Sequence, residues 1–422
     1  MICFDLQVAH VFKREFSKDQ VMKLVYLNNA ATTSADPAVF KAMKPYFSKK
    51  FGNASEVHSL GREAGKSVEM SRKSIADFLG AGPPEIIFTS CATESINLSH
   101  KGLVESLRIA TKTKPHIITS SIEHTAVLET CRHLEELRWV SVTYLPVDKN
   151  GLVNLADLEK AIKKETALVS IMYVNNEVGT IQPIEKIGCF LQEKNRSRAK
   201  SGLSKIYFHT DATQAIGYLN CDVDHLGVDF LSFTGHKIHA PKGIGALYAR
   251  KGTPLVLQMD GGGQEGGMRG GTENVPLIVG LGKAIGRIKN QELRIKNNTE
   301  KLRNQLIQNV LRISGVSLTG HPTKRVSHIA SFLVDKAEGE AMVLMLSNEG
   351  IIVSSGSACT ANNLQPSHVL AAMNVLPEKS HGSIRFSLSK NTTKDEINFA
   401  VSKFGEVVGK LRKMTPEIRI AN

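Results

Sequence analysis

Through the middle of the chain, short apolar runs alternate with longer stretches whose apolar residues recur at helical spacing. Strands are predicted at Ile86–Thr89, His116–Ser120, Ser141–Val147, Leu168–Val174, Ile206–His209, Phe230–Phe233 and Gly245–Ala249. Each is a brief run rich in β-branched or aromatic residues and bounded by turn residues. Helical periodicity falls between them, as at Thr125–Leu137, Leu155–Lys164 and Ile184–Glu193. Such alternation builds an α/β layer on a mostly parallel sheet. Sheets of that kind bind ligands beyond the carboxyl ends of their strands.

From about residue 280 the rhythm changes. One long basic helix is predicted over about 280–312. A strand (His328–Val334), a helix (Gly339–Glu349) and a short strand (Ile351–Val353) follow. A helix after Pro366, a strand at Ser383–Leu388 and a last helix from Thr393 close the pattern. This half reads as a smaller α+β unit. The glycine-rich stretch 261–271 reads as a loop, and no strand–helix unit surrounds it as a dinucleotide fingerprint would require.

The chain has 422 residues, 41% of them hydrophobic and 22% charged, which allows a core of ordinary size. No apolar run approaches the roughly 18 residues that a bilayer span needs. In residues 1–21, Asp5, His10, Lys13 and Arg14 interrupt any signal-peptide core, and Asp5, Glu15 and Asp19 are too acidic for a mitochondrial presequence. Met22 opens Met-Lys-Leu-Val-Tyr-Leu like a natural start, so residues 1–21 are expected to be an extension or a misplaced start, and the cytoplasm the compartment. Six cysteines (Cys3, Cys91, Cys131, Cys189, Cys221, Cys359) are scattered without a CxxC pair, which argues against a disulfide framework and a zinc site. Much of the net charge of +13 is spread along Arg287 to Arg312. It reads first as a solvated helix face, and second as an attraction for an acidic protein or RNA.

The chemistry lies at the ends of the predicted strands. Lys237 closes Phe230-Leu231-Ser232-Phe233-Thr234-Gly235-His236-Lys237, and Asp211 opens Asp211-Ala212-Thr213-Gln214 after the preceding strand. A lysine and a carboxylate on neighbouring strands suit pyridoxal phosphate. The lysine can hold its aldehyde as a Schiff base, and the carboxylate can keep its pyridine nitrogen protonated. Gln214 could reach the ring hydroxyl. Thr234, the Gly235 N–H and His236 make a candidate phosphate cradle, joined by the helix start at Cys91-Ala92-Thr93-Glu94-Ser95. That start also reads as a plain capping box. His124 could stack on the ring and shuttle protons, and Asn176 could touch both cofactor and substrate, although Asn pairs also serve turns.

Ser354-Ser355-Gly356-Ser357-Ala358-Cys359-Thr360 sets one cysteine among small residues after a short strand. Such a segment is expected to be exposed and mobile, as a reactive thiol requires. Its thiolate fraction must be raised by a nearby cation or cofactor. Arg385 interrupts an otherwise apolar strand and demands a partner: a substrate carboxylate held by its fork, or a structural ion pair.

Together these runs resemble the cysteine desulfurases, pyridoxal phosphate enzymes of the aminotransferase-like fold. The resemblance covers Tyr26 to the last helix. It rests on Tyr26-Leu27, Ala31-Thr32-Thr33, Ala92-Thr93-Glu94-Ser95, Glu123-His124, Asn175-Asn176-Glu177, Asp211 to Gln214, Gly235-His236-Lys237, Arg269 to Thr272 and Ser354 to Thr360. The intact cysteine run is similar to that of the branch with a long mobile cysteine loop. Thr272-Glu273-Asn274 and Ile238-His239-Ala240-Pro241 lean toward the nitrogen-fixation-type members.

The resemblance implies a fold-type-I transferase with a large cofactor domain at 38–285. A small domain of 22–37 and 286–422 would carry the cysteine loop. It implies Lys237 as the Schiff-base lysine that moves the Cα proton. Asp211, Gln214 and His124 would hold the ring, with Ala92, Thr93, Thr234 and His236 at the phosphate. Thr272 would join from the other subunit of a homodimer. Asn176 and Arg385 would orient L-cysteine, and Cys359 would take its sulfur, leaving alanine. The expected acceptor is an iron–sulfur scaffold or a tRNA-thiolation protein, with no membrane, no stable nucleic-acid binding and no resident metal. Cys359 is also a candidate transient ligand to an acceptor's cluster. Asn28 stands where the family usually has Asp, Cys91 where Gly is common and Gly266 where Arg is common. Residues 195–204 read as an insertion. Cys91 is expected to crowd its turn. A selenocysteine lyase or another pyridoxal phosphate enzyme is the competing catalytic reading, and an RNA-binding sulfur-relay scaffold the non-catalytic one.

Overall fold

Strands covered on both faces carry nearly unbroken apolar runs, and the middle of this chain has several. In the computed structural model, which describes residues 24–289, 292–356 and 366–414, these runs form one sheet. In chain order the strands are β1 (Val25–Tyr26), β2 (Ile86–Thr89), β3 (His116–Ser120), β4 (Ser141–Leu145), β5 (Thr166–Ser170), β6 (Tyr207–Asp211) and β7 (Phe230–Thr234). Then come β8 (Gly245–Ala249), β9 (Val316–Leu318), β10 (Ile329–Val334), β11 (Ile351–Ile352) and β12 (Ser383–Ser387). The seven-stranded sheet runs β2-β8-β7-β6-β5-β3-β4. The β7-β6-β5-β3-β4 run is parallel, and β8 is antiparallel to both of its neighbours.

The pleat divides each strand between two cores. Ile117, Leu168, Phe230 and Leu247 enter one cluster with the helices Ala92–Thr111 and Thr125–Glu136. Their neighbours Ile118, Val169, Leu231 and Ala246 enter the other, with Ser59–Leu79, Ile184–Lys200 and Val275–Lys289. Alternate side chains point to opposite faces of a strand, so the sheet is a central layer with helices on both sides. Each fully buried Leu, Ile or Phe stabilises this arrangement by about 1.5–3 kcal/mol.

The second sheet is antiparallel, in the order β12-β10-β9. Phe332, Phe386 and Phe404 stack edge-to-face beneath it, with ring centroids 6.1 and 5.4 Å apart. Val25 and Leu27 share this core. β1 pairs in parallel with β11, and Asn28 bridges to Ser387. The start of the described chain is thereby bound to segments more than three hundred residues later.

Most predicted strands stand, shifted by a few residues. Where one helix is predicted over about 280–312, helix is described at Val275–Lys289 and Glu292–Val310, and residues 290–291 lie outside the described residues. Their basic residues are not all solvated, because Arg303 is buried and donates to the carbonyls of Arg325 and Val326 at 2.9 and 2.7 Å. The 195–204 stretch extends the helix Ile184–Lys200. Arg198 folds back there onto Ser204 O and Lys163 O, which keeps its buried guanidinium satisfied. β9 is too short to show in the pattern. Residues 1–21 lie outside the described residues.

Candidate active site

The carboxyl ends of β2, β3, β6 and β7 open onto one cavity of about 340 Å³. Ala92 and Thr93 reach it after β2, His124 after β3, Asp211 and Gln214 from the end of β6, and Thr234, His236 and Lys237 from the end of β7. Asn28, Asn176, Ser354 and Arg385 close the opposite side. Of the residues predicted from sequence, all but Thr272 and Cys359 meet here.

Lys237 ends the short 3₁₀ turn Gly235–Lys237 that follows β7. Its Nζ donates to Ala30 O and Ala31 O, both at 2.6 Å. Those carbonyls are held in place because the 28–33 segment is pinned, with Thr33 N donating to His236 O at 2.8 Å. Asp211 is buried one strand away, and its Oδ1 accepts from Thr213 N at 2.9 Å. Gln214 donates from Nε2 to Ala30 O at 2.9 Å, so Lys237 and Gln214 share one carbonyl.

His124 lines the cavity and also has a structural task. It caps the helix Thr125–Glu136, with Nδ1 accepting from Ala126 N at 3.1 Å. Accepting there leaves Nδ1 bare, so the proton of the neutral ring sits on Nε2. Burial holds the ring below its ordinary pKa. Asp211 opposes this, while Lys237 and His368 reinforce it. Glu123 lies directly beneath. Its Oε1 accepts from Ser120 Oγ at 2.6 Å and Met172 N at 2.9 Å, and its Oε2 has no partner among the described residues. Burial, with Asp211 adding to it, pushes this carboxyl up to about 8.

At the other end of the cavity, the first turn of the helix Ala92–Thr111 presents its unpaired amides and positive dipole end, which favours an anion. His236 is neutral, pushed down to about 4 by burial and by the charges of Lys237 and Lys242. Two expectations need correction. The Gly235 N–H is not free for a phosphate, because it donates to Ile244 O at 2.9 Å. The Thr234 hydroxyl is also engaged, donating to the same carbonyl at 3.1 Å. Cys91 strains nothing in the turn, since its φ of −171° is extended backbone open to any residue.

Arg385, on β12, is buried and donates to Asn176 O at 2.8 Å and Asn28 Oδ1 at 3.1 Å. Its backbone exchanges bonds with Ser354, 2.7 Å from N and 3.2 Å to O. The two adjacent asparagines divide the labour. Asn175 Oδ1 closes the turn by accepting from Glu177 N and Val178 N, and Asn176 lines the cavity. Cys359 lies outside the described residues, as do Ser357, Ala358 and Thr360. Thr272 is exposed and does not line the cavity of its own chain.

Three buried groups were given no role in the sequence reading. Glu177 accepts from Ser367 Oγ at 2.5 Å, and burial raises its carboxyl against the pull of Ser367, His368 and Arg385. Glu123 and His328 are the others. Glu123 and Glu177 adjoin noted motif residues, which was the available signal. His328 carries none, since it approaches only through the fold.

The donor set fits pyridoxal phosphate. A carboxylate, a reachable lysine, a flat imidazole and a helix start bound a space large enough for a substituted ring. Among the described residues no cluster of acidic, cysteine and histidine side chains could hold a metal ion, and no helix is long and apolar enough to cross a membrane.

Comparison with known proteins agrees. Residues 25–399 match the family model for class-V aminotransferases. The cysteine desulfurase IscS of Dictyoglomus turgidum is 47% identical over 394 residues, which span 93% of this chain and 96% of that protein. Among solved structures, a NifS-like protein superposes with a TM-score of 0.84 at 38% identity, over 92% of this chain and all of that one. SspA in complex with cysteine superposes at 0.75 with 37% identity, over 87% of this chain and 99% of that one. The chain therefore belongs to the class-V aminotransferase family and, within it, to the pyridoxal phosphate-dependent cysteine desulfurases.

Proposed function

We propose that this chain takes the sulfur of L-cysteine, leaves L-alanine, and carries the sulfur as a persulfide on Cys359. The observation that carries the reading is the placement of Lys237, His124 and Arg385 on three sides of one cavity. When bound, pyridoxal phosphate supplies an electron sink in conjugation with the substrate Cα. Asp211 would hold the ring nitrogen's proton. The helix start at Ala92 and Thr93 would hold the phosphate, with Thr234 and His236 lining the same end. Arg385 would take the substrate carboxylate in its fork, and Asn176 would fix its orientation.

Lys237 moves the Cα proton, and the Nε2–H of His124 is the donor for the leaving side of the reaction. The Cys359 thiolate attacks the substrate sulfur, so an S–S bond forms as the Cβ–S bond breaks. The electron pair left on Cβ takes a proton to give the methyl group of alanine.

A second copy of the chain is the proposed partner in the enzyme itself. Phe47, Phe51 and Val57 are 61%, 66% and 83% exposed, and residues 54–72 border a depression shared with the glycine-rich loop that carries Thr272. Covering that face would bring Thr272 toward the partner's phosphate end. The proposed acceptor is an iron–sulfur scaffold or a tRNA-thiolation protein, and the proposed compartment the cytoplasm. The division into domains 38–285 and 22–37 with 286–422 belongs to the same reading.

Absorbance and sulfide release test it. The purified protein should be yellow, and Lys237→Ala should abolish the band. Cys359→Ser should keep the band and lose sulfide release. Full desulfurase activity in Cys359→Ser would refute the nucleophile. Incubation with sulfur-labelled cysteine should then show which copurifying protein or RNA gains the label.

A further inference from the structure

We propose that His328 is a positioning residue for the cofactor, fixing the Gln214 amide so that its N–H group, and not its oxygen, serves the ring. The inference rests on the pyridoxal phosphate reading of the site. It begins with donor logic. Gln214 Nε2 lies 2.9 Å from Ala30 O, and a carbonyl can only accept, so that end of the amide is the NH2. The other end, Oε1, lies 3.2 Å from His328 Nε2. An amide oxygen can only accept too, so the imidazole must carry its proton on Nε2. The two bonds fix the amide orientation and the histidine tautomer together. One N–H of Gln214 remains for the cavity it lines.

The imidazole is well suited to this. It is fully buried, and burial, with the charges of Arg303, Arg385 and Lys237, pushes it down to about 3. Burial therefore favours the neutral ring. Its ring stacks on Tyr218 at 3.9 Å and 20°, and its carbonyl accepts from Leu388 N at 2.8 Å. It is gripped from the large-sheet side and from the second sheet at once. Its Nδ1 has no hydrogen-bond partner among the described residues. A leucine would avoid that unmet polar atom and its cost. The bond from His328 to Gln214 is the gain that offsets the unmet nitrogen.

A donor to the ring oxygen stabilises its anion and so lowers the pH at which the bound chromophore titrates. Without His328 the amide is held only through Ala30 O, a carbonyl that Lys237 also uses, and its second N–H is no longer aimed at the ring from both ends. In the cofactor-loaded protein, His328→Leu should raise the midpoint of the visible-band titration by about one pH unit. His328→Asn puts its donor at the Nδ1 position and should raise it likewise. His328→Gln puts a donor at the Nε2 position and should restore the parent midpoint. In a Gln214→Leu background, His328→Leu should move nothing further. Asp211, His124 and Arg385 face the same cavity and are unchanged across the set. A midpoint unmoved in both His328→Leu and His328→Asn, with only a lower melting temperature, would overturn the assignment and leave the cofactor reading standing. A protein with no Lys237-dependent band would overturn both.

Discussion

The two walls of the cavity are built on different terms. On the large-sheet wall, Thr93, His124, Asp211 and Lys237 each sit within a few residues of a strand end, and each strand is parallel or adjacent to the next. Strand direction alone brings them to one edge. On the opposite wall, Arg385 meets Asn28 across 357 residues, and His328 meets Gln214 across 114. Nothing local places those pairs. They meet because β1 joins β11 and Asn28 bridges Ser387 beside the second sheet. The first wall is a property of a motif. The second is a property of the assembled fold, so it responds to changes in packing that leave the first intact.

Substitutions on the first wall should affect chemistry most. Asp211→Asn keeps the shape and removes the negative charge that holds a ring proton. It should lower kcat by about 10²–10⁴-fold, the scale on which a placed proton-handling group acts. Steady-state rates on the loaded protein measure this. A loss of under tenfold would mean that the ring nitrogen's partner lies elsewhere.

The second wall should act on binding instead. Arg385→Ala should retain the yellow band and raise KM for cysteine by about 10–100-fold, as expected for losing a charge-assisted bond to a carboxylate. A matching fall in kcat with unchanged KM would place Arg385 in the chemistry and erase the contrast between the walls.

That contrast also explains what the sequence could reveal. The α/β layer was legible because β3, β5 and β7 are buried on both faces and read as plain apolar runs between turn residues. Asp211 and Lys237 were legible because each follows such a run directly. The cavity lining was legible at Thr234 and His236 but their bonding was not. Pairing of the Thr234 hydroxyl and the Gly235 N–H with Ile244 O depends on how β8 returns beside β7. His328 and the Asn28–Arg385 bond were invisible, because a residue's partner hundreds of positions away leaves no mark in its neighbours.

A smaller change sharpens the same point. Asn28 Oδ1 accepts from Arg385 without a charge of its own. Asn28→Asp would place a carboxylate against the guanidinium, in competition with the carboxylate of the substrate. KM for cysteine should rise by about three- to tenfold, with the cofactor band unmoved. An unchanged KM would show that the substrate does not draw on this face of the fork.

The smallest effect on turnover belongs to Glu123, beneath the first wall. Its Oε1 accepts two hydrogen bonds and its Oε2 none, the pattern of a neutral acid with its proton on Oε2. With the folded group pushed up to about 8, the folded state holds a proton that the unfolded chain has released above its ordinary carboxyl range. Where the folded state binds the extra proton, stability falls as pH rises. The contribution of Glu123 is thus fully present below about pH 4.5 and is lost as pH climbs to about 8, at up to roughly 1.4 kcal/mol per pH unit. Glu123→Gln keeps the shape and the Oε1 acceptor and cannot titrate. Denaturant unfolding of parent and variant across pH 4 to 8 subtracts every other titrating group, including buried His100, which is common to both. The variant should gain on the parent steadily as pH rises. A constant difference would mean that Glu123 is charged in the folded protein, with the large-sheet wall resting on a buried anion beneath Asp211.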